Sequence, residues 1–367
     1  MKIGLVSYHA LYAEGGIKTH IFSLQKEFKK RGIECKIIAP RRSRKENYGP
    51  DVLLLGTSFP VTSIGTQGDL CIGFNPLSIK RALKKERFDV LHFHNMGLPL
   101  SMQILQESNS LNILTFHANL VESNDSRKFI YPLQELAKKY LNGIIGVAPM
   151  TLKPFDNFTG PKQVIPNGID LERFNSKNPG INKFLDNKIN LLFLNRIEER
   201  KGLIYLLKAF KILNKEFSNL RLIIVGEGDL RNECENFVKD NKLSEVCFEG
   251  QQRSDIIPSY YATADIYVAP SIFGESFGIV LLEAMATGKP IVAFANKGYK
   301  GVLTGKKGGI LVPPKDYEAM AKELRILIKN EDLRKEMGEW GIKEAQDYSW
   351  DKIAQRVLDF YNLCSLN

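Results

Sequence analysis

Short apolar runs rich in β-branched residues, each followed by apolar residues at helical spacing, recur along this chain, lapse once, and then start again. The first run, residues 2–7, leads through a glycine-containing turn to Ile17, Ile21, Leu24 and Phe28, and the segment closes at Arg31-Gly32. Further runs at 33–39, 88–93, 112–116 and 143–147 alternate with helical or irregular stretches. Strand and helix in alternation predict βαβ units and a parallel sheet with helices on both faces. Around 166–190 the rhythm gives way to PNGIDLERFNSKNPGINKFLDNK, a linker or domain entry. It resumes with strands at 190–194, 221–225, 246–248, 265–268 and 290–294 and helices at 203–213 and 277–287. The tail, 317–363, reads as helical throughout, with Trp350, Ile353, Val357 and Tyr361 on one face.

The fold class is therefore α/β, with two doubly wound domains, and a length of 367 residues agrees with two. In such sheets ligands bind beyond the carboxyl ends of the strands, and two such edges facing each other form a cleft. A hydrophobic content of 44% and a charged content of 25% exclude collagen-like, disordered and polytopic membrane classes. No run approaches about 18 apolar residues, and the opening MKIGLVSYHA is too briefly apolar for a signal peptide, so a cytoplasmic location is expected. Five widely spaced cysteines, with no CxxC pair and no histidine near them at ligand spacing, argue against disulfides and structural zinc. The net charge of +10 is uneven, with +8 in residues 1–100, 0 in 101–170 and +2 beyond. The first domain is thus expected to meet something anionic: phosphate, lipid headgroups or nucleic acid.

Four segments carry candidate chemistry. Ala13-Glu14-Gly15-Gly16 leads into a helix whose free N–H groups favour an anion, although a tight turn explains it equally. Residues 194–202 place Arg196 and Lys201 at a strand's carboxyl edge, where they suit a diphosphate or are ordinary solvated charges. Gly226-Glu227-Gly228 is mostly backbone geometry. The most informative stretch, 269–288, sets Glu275 before a helix and Glu283 within it among Val280, Leu281, Leu282, Ala284 and Met285. A carboxylate there is costly unless hydrogen-bonded, and sugar and ribose hydroxyls are suitable donors. The N–H groups of Phe277, Gly278 and Ile279 would point at an anion.

Glu275 and Glu283, with seven residues between them and Pro-Ser-x-Phe-Gly before them, resemble the EX7E motif of retaining GT-B glycosyltransferases of family 4. The resemblance spans the chain through Gly15-Gly16, residues 88–94, Thr115-Phe116-His117, Pro166-Asn167-Gly168-Ile169-Asp170, Arg196 with Lys201-Gly202, and residues 226–228. Within that family it narrows to the phosphatidylinositol mannosyltransferases through residues 14–20, 88–94, 98–102 and 274–285.

The resemblance implies a GT-B fold of two Rossmann-like domains facing a central cleft. Residues 1–168, with a final helix at about 350–367, would bind the acceptor, and 171–349 the nucleotide sugar. It implies that Gly15 and Gly16 meet the donor diphosphate, that Arg196 and Lys201 neutralise it as it leaves, that Glu283 holds the ribose, and that Glu275 holds the transferred sugar. His117 would steady the sugar's hydroxyls, with an ordinary histidine at a strand end as the plain alternative. No two aspartates are separated by one residue, so the metal-binding DxD pattern is missing and no metal or other cofactor is expected. The leaving charge then falls to Arg196, Lys201 and the helix start, each worth about 10²–10³ in rate.

The segment 77–87 reads as a basic amphipathic helix: Ile79, Ala82 and Leu83 share one face, and Lys80, Arg81, Lys84, Lys85 and Arg87 lie elsewhere. With Lys18 and the cluster Arg41-Arg42-Ser43-Arg44-Lys45 it fits an anionic membrane surface, at about 1 kcal/mol per cation; solvated lysines on a surface helix are the plain alternative. The expected partners are a nucleotide-sugar donor, GDP-mannose by the resemblance, a phospholipid or lipid-linked acceptor, and the inner face of the cell membrane. Three alternatives remain at this stage: another acceptor (diacylglycerol, lipid-linked oligosaccharide or soluble sugar), a UDP-sugar donor, or a nucleotide-sugar epimerase. No motif supports nucleic-acid binding.

Overall fold

A computed structural model describes the chain except for residues 13–14, 44, 64–65, 74–75, 98, 119–125, 306 and 367, with backbone alone at 60–63, 66–69 and 126–130. Ala13, Glu14, Arg44 and Leu98, singled out above, lie outside the described residues. The chain divides into two compact units, Met1–Gly168 with Trp350–Asn367, and Ile169–Ser349.

In the first unit, β1 (Lys2–Ser7), β2 (Glu34–Arg41), β3 (Val52–Ser63), β4 (Thr66–Ile72), β5 (Val90–His94), β6 (Leu111–Phe116), β7 (Gly143–Gly146) and β8 (Lys162–Val164) form one sheet. Its order is β4-β3-β2-β1-β5-β6-β7-β8, parallel except for the β3–β4 hairpin. Side chains alternate across a strand, so Ile3, Leu5, Val90 and Ile113 line one face while Val6, Leu91, Phe93 and Leu114 line the other. Helix α1 (Gly16–Lys30) covers the first face through Ile21, Leu24 and Phe28. Helices α2 (Pro76–Glu86), α3 (Pro99–Gln106) and α4 (Ser126–Tyr140) cover the second through Ile79, Ile104 and Ala137, and α5 (Pro149–Leu152) adds one turn after β7.

The second unit repeats the plan with β9 (Ile189–Leu194), β10 (Leu220–Val225), β11 (Val246–Gly250), β12 (Ile266–Ala269), β13 (Ile291–Phe294) and β14 (Gly309–Val312), ordered β11-β10-β9-β12-β13-β14 and all parallel. Around it run α6 (Leu203–Leu213), α7 (Arg231–Asp240), α8 (Ile257–Thr263), α9 (Ile279–Ala286), α10 (Lys297–Leu303), α11 (Tyr317–Lys329) and α12 (Glu331–Ala345). In both sheets the strand order reverses at a central pair, β1/β5 and β9/β12, which is where such folds open a crevice for ligands. The last helix, α13 (Trp350–Ser365), belongs to the first unit: Ile353, Val357, Phe360 and Tyr361 share one buried cluster with Ile3, Leu5 and Phe28.

Three sequence expectations change. The tail is not one continuous helical stretch, because Asn330 ends α11 and caps α12, its side chain accepting the Leu333 N–H at 2.9 Å. The helix expected from 277 begins at Ile279: Gly278 sits at φ +107°, a left-handed conformation that glycine alone adopts cheaply, and leaves Phe277 in the loop. The strands β3, β4, β8 and β14 were not expected from the periodicity: β3 passes after its opening 52–55 run into glycine, proline and small polar residues, β4 carries the same kinds, and β8 and β14 are 3 and 4 residues long.

Candidate active site

At the carboxyl edge of the first sheet, strand register brings histidines from separate segments together. His92 and His94, two apart on β5, point to the same face, and β6 pairs Thr115 with His94 and delivers His117 one residue past its end. His94 Nδ1 lies 3.3 Å from His117 Nε2. His20 enters from the apolar face of α1, its ring 4.8 Å from that of His117 and 4.9 Å from that of Trp350, and its Nδ1 is 2.9 Å from Asn167 Oδ1. His92 is held by the Tyr361 hydroxyl at Nδ1 and the Thr115 hydroxyl at Nε2, each at 2.6 Å. The side-chain carbonyl of Asn95 accepts the His117 N–H at 2.7 Å.

Burial dominates the titration of these rings. It pushes His20 down to about 4 and His92 to about 3, and takes His94 and His117 well below the ordinary imidazole value, with neighbouring imidazoles adding to the fall. The four rings are therefore uncharged at neutral pH, and the half-buried His117 presents a neutral ring.

Near it, Gly15 caps α1 at φ 173°, extended backbone open to any residue, with clear space where a Cβ would stand. The fold itself does not require glycine there. Gly16 opens the helix, exposed, and Lys18, two residues on, is half-buried. On α2, Lys80, Arg81, Lys84 and Lys85 are exposed, as is Arg87 just past its end, while Ile79 is buried and Ala82 and Leu83 pack on the core. Lys80 stands 3.6 Å from Glu107.

The second unit's edge is charged. The loop after β9 carries Arg196, then a 3₁₀ turn at Glu199–Lys201, then Gly202 at φ +69°. A Cβ on Gly202 would stand 2.1 Å from the Pro270 carbonyl, and the Ile272 N–H donates to the Arg200 carbonyl at 2.8 Å, so this loop is locked to the one after β12. That lock seats Lys201 Nζ on Glu275 Oε1 at 2.5 Å, with Arg200 Nη1 3.6 Å from the same oxygen. Both cations sit on one carboxylate oxygen, and Oε2 has no such partner among the described residues. Lys201 is buried, which lowers its pKa despite the pull of Glu275.

Arg196 is not drawn into this cluster: its side chain is 64% exposed, 3.4 Å from Glu198. Eight positions after Glu275, Glu283 Oε2 accepts the Tyr261 hydroxyl at 2.8 Å; burial raises its pKa, and Tyr261 and Arg173 restrain the rise. The N–H groups of Gly278 and Ile279 open α9, beyond Phe277, whose ring is buried. The Gly226-Glu227-Gly228 turn is a backbone joint: a Cβ at Gly226 would stand 1.9 Å from the Asn195 carbonyl, and one at Gly228 2.3 Å from that of Ile197.

The family profile described as Glycosyltransferase Family 4 matches residues 14–173, and that described as Glycosyl transferases group 1 matches residues 175–344. Over 370 residues the chain is 31% identical to a phosphatidyl-myo-inositol mannosyltransferase of Mycobacterium leprae, covering 98% of this chain and 96% of the relative. The chain belongs to the family 4 glycosyltransferases. A phosphatidyl-myo-inositol mannosyltransferase of Mycolicibacterium smegmatis is 30% identical, covering 100% of this chain and 94% of the relative. Two solved structures share the fold at 20% identity. Sucrose-phosphate synthase from Thermosynechococcus elongatus has a TM-score of 0.78, covering 99% of this chain and 98% of that one, and Anabaena HepE with UDP has 0.79, covering 99% and 100%. The fold is GT-B, and among the described residues no helix is long and apolar enough to cross a membrane.

In this glycosyltransferase the structure adds residues that sequence reading passed over. Tyr261 is the donor to Glu283, and Arg200 is the second cation on Glu275. Asn296 and Tyr299 brace the glutamate loop by donating to the Ser271 carbonyl at 2.8 Å and hydroxyl at 3.0 Å. His20 carried one signal, a polar residue in the apolar stripe of α1, and the one-residue spacing of His92 and His94 placed them on a common face.

Proposed function

We propose that this enzyme transfers a mannosyl residue from GDP-mannose to phosphatidylinositol with retention of anomeric configuration, at an anionic membrane surface and without a resident metal. The observation that carries this reading is the likeness over nearly the whole chain to relatives named phosphatidyl-myo-inositol mannosyltransferase. The geometry supports the chemistry. Glu275 Oε2 is available for the hydroxyls of the transferred sugar, and Glu283, with one oxygen satisfied by Tyr261, accepts from the ribose.

As the bond between the anomeric carbon and the diphosphate breaks, charge grows on the leaving group. Lys201, Arg196 and the N–H groups of Gly278 and Ile279 meet it, and Gly15 and Gly16 approach the phosphates through their main chain. The acceptor oxygen bonds to the same face of the sugar, and its proton passes to the leaving phosphate. His117, neutral, hydrogen-bonds the sugar. The exposed cations Lys80, Arg81, Lys84 and Lys85, with Lys18, hold the first unit against anionic headgroups.

The test is product identity. Purified protein with GDP-mannose and phosphatidylinositol vesicles, in chelator, should yield an α-linked mannosyl lipid. Turnover with UDP-sugars only, with diacylglycerol only, or epimerised donor in the absence of acceptor would overturn the reading in favour of those alternatives. Equal flotation with neutral and anionic vesicles would remove the membrane role from α2.

A further inference from the structure

We propose that His20, His94 and His117 together form a binding site for a divalent transition ion of borderline softness, with zinc(II) as the representative case. One ring nitrogen from each residue lies within 4.8 Å of one from each of the others. His94 Nδ1 and His117 Nε2 are 3.3 Å apart, close to the roughly 3.4 Å that separates two nitrogens on one tetrahedral zinc at bond lengths of about 2.0–2.1 Å. The wider pairs must close by about 1.4 Å at most, within reach of side-chain torsion.

His20 is prepared as a ligand. Asn167 Oδ1 can only accept, so the His20 proton sits on Nδ1 and its Nε2 carries a lone pair. That Nε2 is buried and has no hydrogen-bond partner among the described residues. Buried polar atoms left unpartnered are rare, and this one lies in a ring whose centroid is 5.2 Å from that of His94 and 4.8 Å from that of His117. A carbonyl fixing the far nitrogen of a histidine is the usual outer support of a metal ligand. His117, half-buried, leaves a fourth position open to water or a small ligand.

Resting on the role given to His117 above, such an ion opposes transfer rather than assisting it, because it occupies the ring that the sugar needs. The site is thus a dissociable control point and not a cofactor site.

Tag-free, metal-stripped full-length protein is titrated with zinc by calorimetry and with cobalt(II) by visible absorption. The expected result is one ion per chain and the intense absorption of four-coordinate cobalt. His20→Gln and His94→Gln should each weaken zinc binding at least tenfold, and His9→Gln, outside the cluster, should leave it unchanged. Should His94→Gln fail to fold, His20→Gln and the cobalt spectrum of the unaltered protein still decide. Zinc uptake no greater than in His20→Gln, or the pale spectrum of six-coordinate cobalt, overturns the site. Zinc bound with transfer undiminished upholds the site and overturns the role of His117. No zinc bound, with transfer lost in His117→Asn, does the reverse.

Discussion

Both sheets run their strands in one order around a central pair and place their polar residues at the carboxyl ends, but the first unit gathers neutral imidazoles there and the second gathers opposite charges. In the first, buried rings lean on hydroxyls and amides, and the exposed cations stand apart on α2. In the second, Lys201 and Arg200 converge on Glu275, and Arg196 stays largely in solvent. The shared strand order decides where chemistry can happen; the loops decide its kind. One edge gathers buried neutral rings, the other paired charges.

This contrast can be broken at several points. The largest effect is expected from Phe360→Ala, which empties a buried site on α13 and should cost the first unit about 3–5 kcal/mol. Hydrogen exchange followed unit by unit checks it, and equal loss of protection in Ile169–Ser349 would show the units to be one cooperative body. Next, Lys201→Met and Arg196→Ala should each lower kcat by about 10²–10³ at saturating donor. Undiminished turnover in either variant removes that cation from the leaving-group site, and the exposure of Arg196 makes it the sharper case.

The third prediction uses pH. The folded value of His20, about 4, lies below the roughly 6.5 of an exposed imidazole, so between these limits the unfolded chain takes up a proton that the folded chain refuses. The stabilisation is complete above about pH 6.5 and is lost as pH falls towards 4, roughly 3 kcal/mol from His20 alone. Melts at pH 7, 6 and 5, read through Trp350 beside His20, should show this loss. Constant protection of the first unit over that range would mean that its histidines titrate as though exposed. Smallest is Asn296→Ala, which removes the α10 cap and the bond to the Ser271 carbonyl and should cost the second unit about 1 kcal/mol. A fall in kcat beyond the change in stability would show that the brace also aims Glu275.

Much of the fold was legible because periodicity reports burial directly. β1, α6 and the positions of Glu275 and Glu283 about the start of α9 followed from runs of apolar residues. The β3–β4 hairpin was not legible, although Leu55 and Cys71 are buried in it, because beyond residue 55 it is held by cross-strand pairing, such as Phe59 with Leu70, and not by an apolar stripe. At the candidate site, single-segment features could be read and convergent ones could not. Arg196 and Lys201 lie five apart in sequence, but only the Gly202–Pro270 contact turns Lys201 onto Glu275 and leaves Arg196 behind. His20, His94 and His117 come from a helix, a strand and a loop, so no spacing announces that they meet.

The return of α13 has a consequence for how the molecule is made. The first sheet's α1 face is closed by a helix that the ribosome produces only after the 181 residues of Ile169–Ser349. At about 5–20 residues per second, that apolar face waits roughly 10 to 40 s for its cover, while the later unit can already complete its own core. The half of the enzyme translated first is therefore the half finished last, and it is the nascent surface with most need of a chaperone.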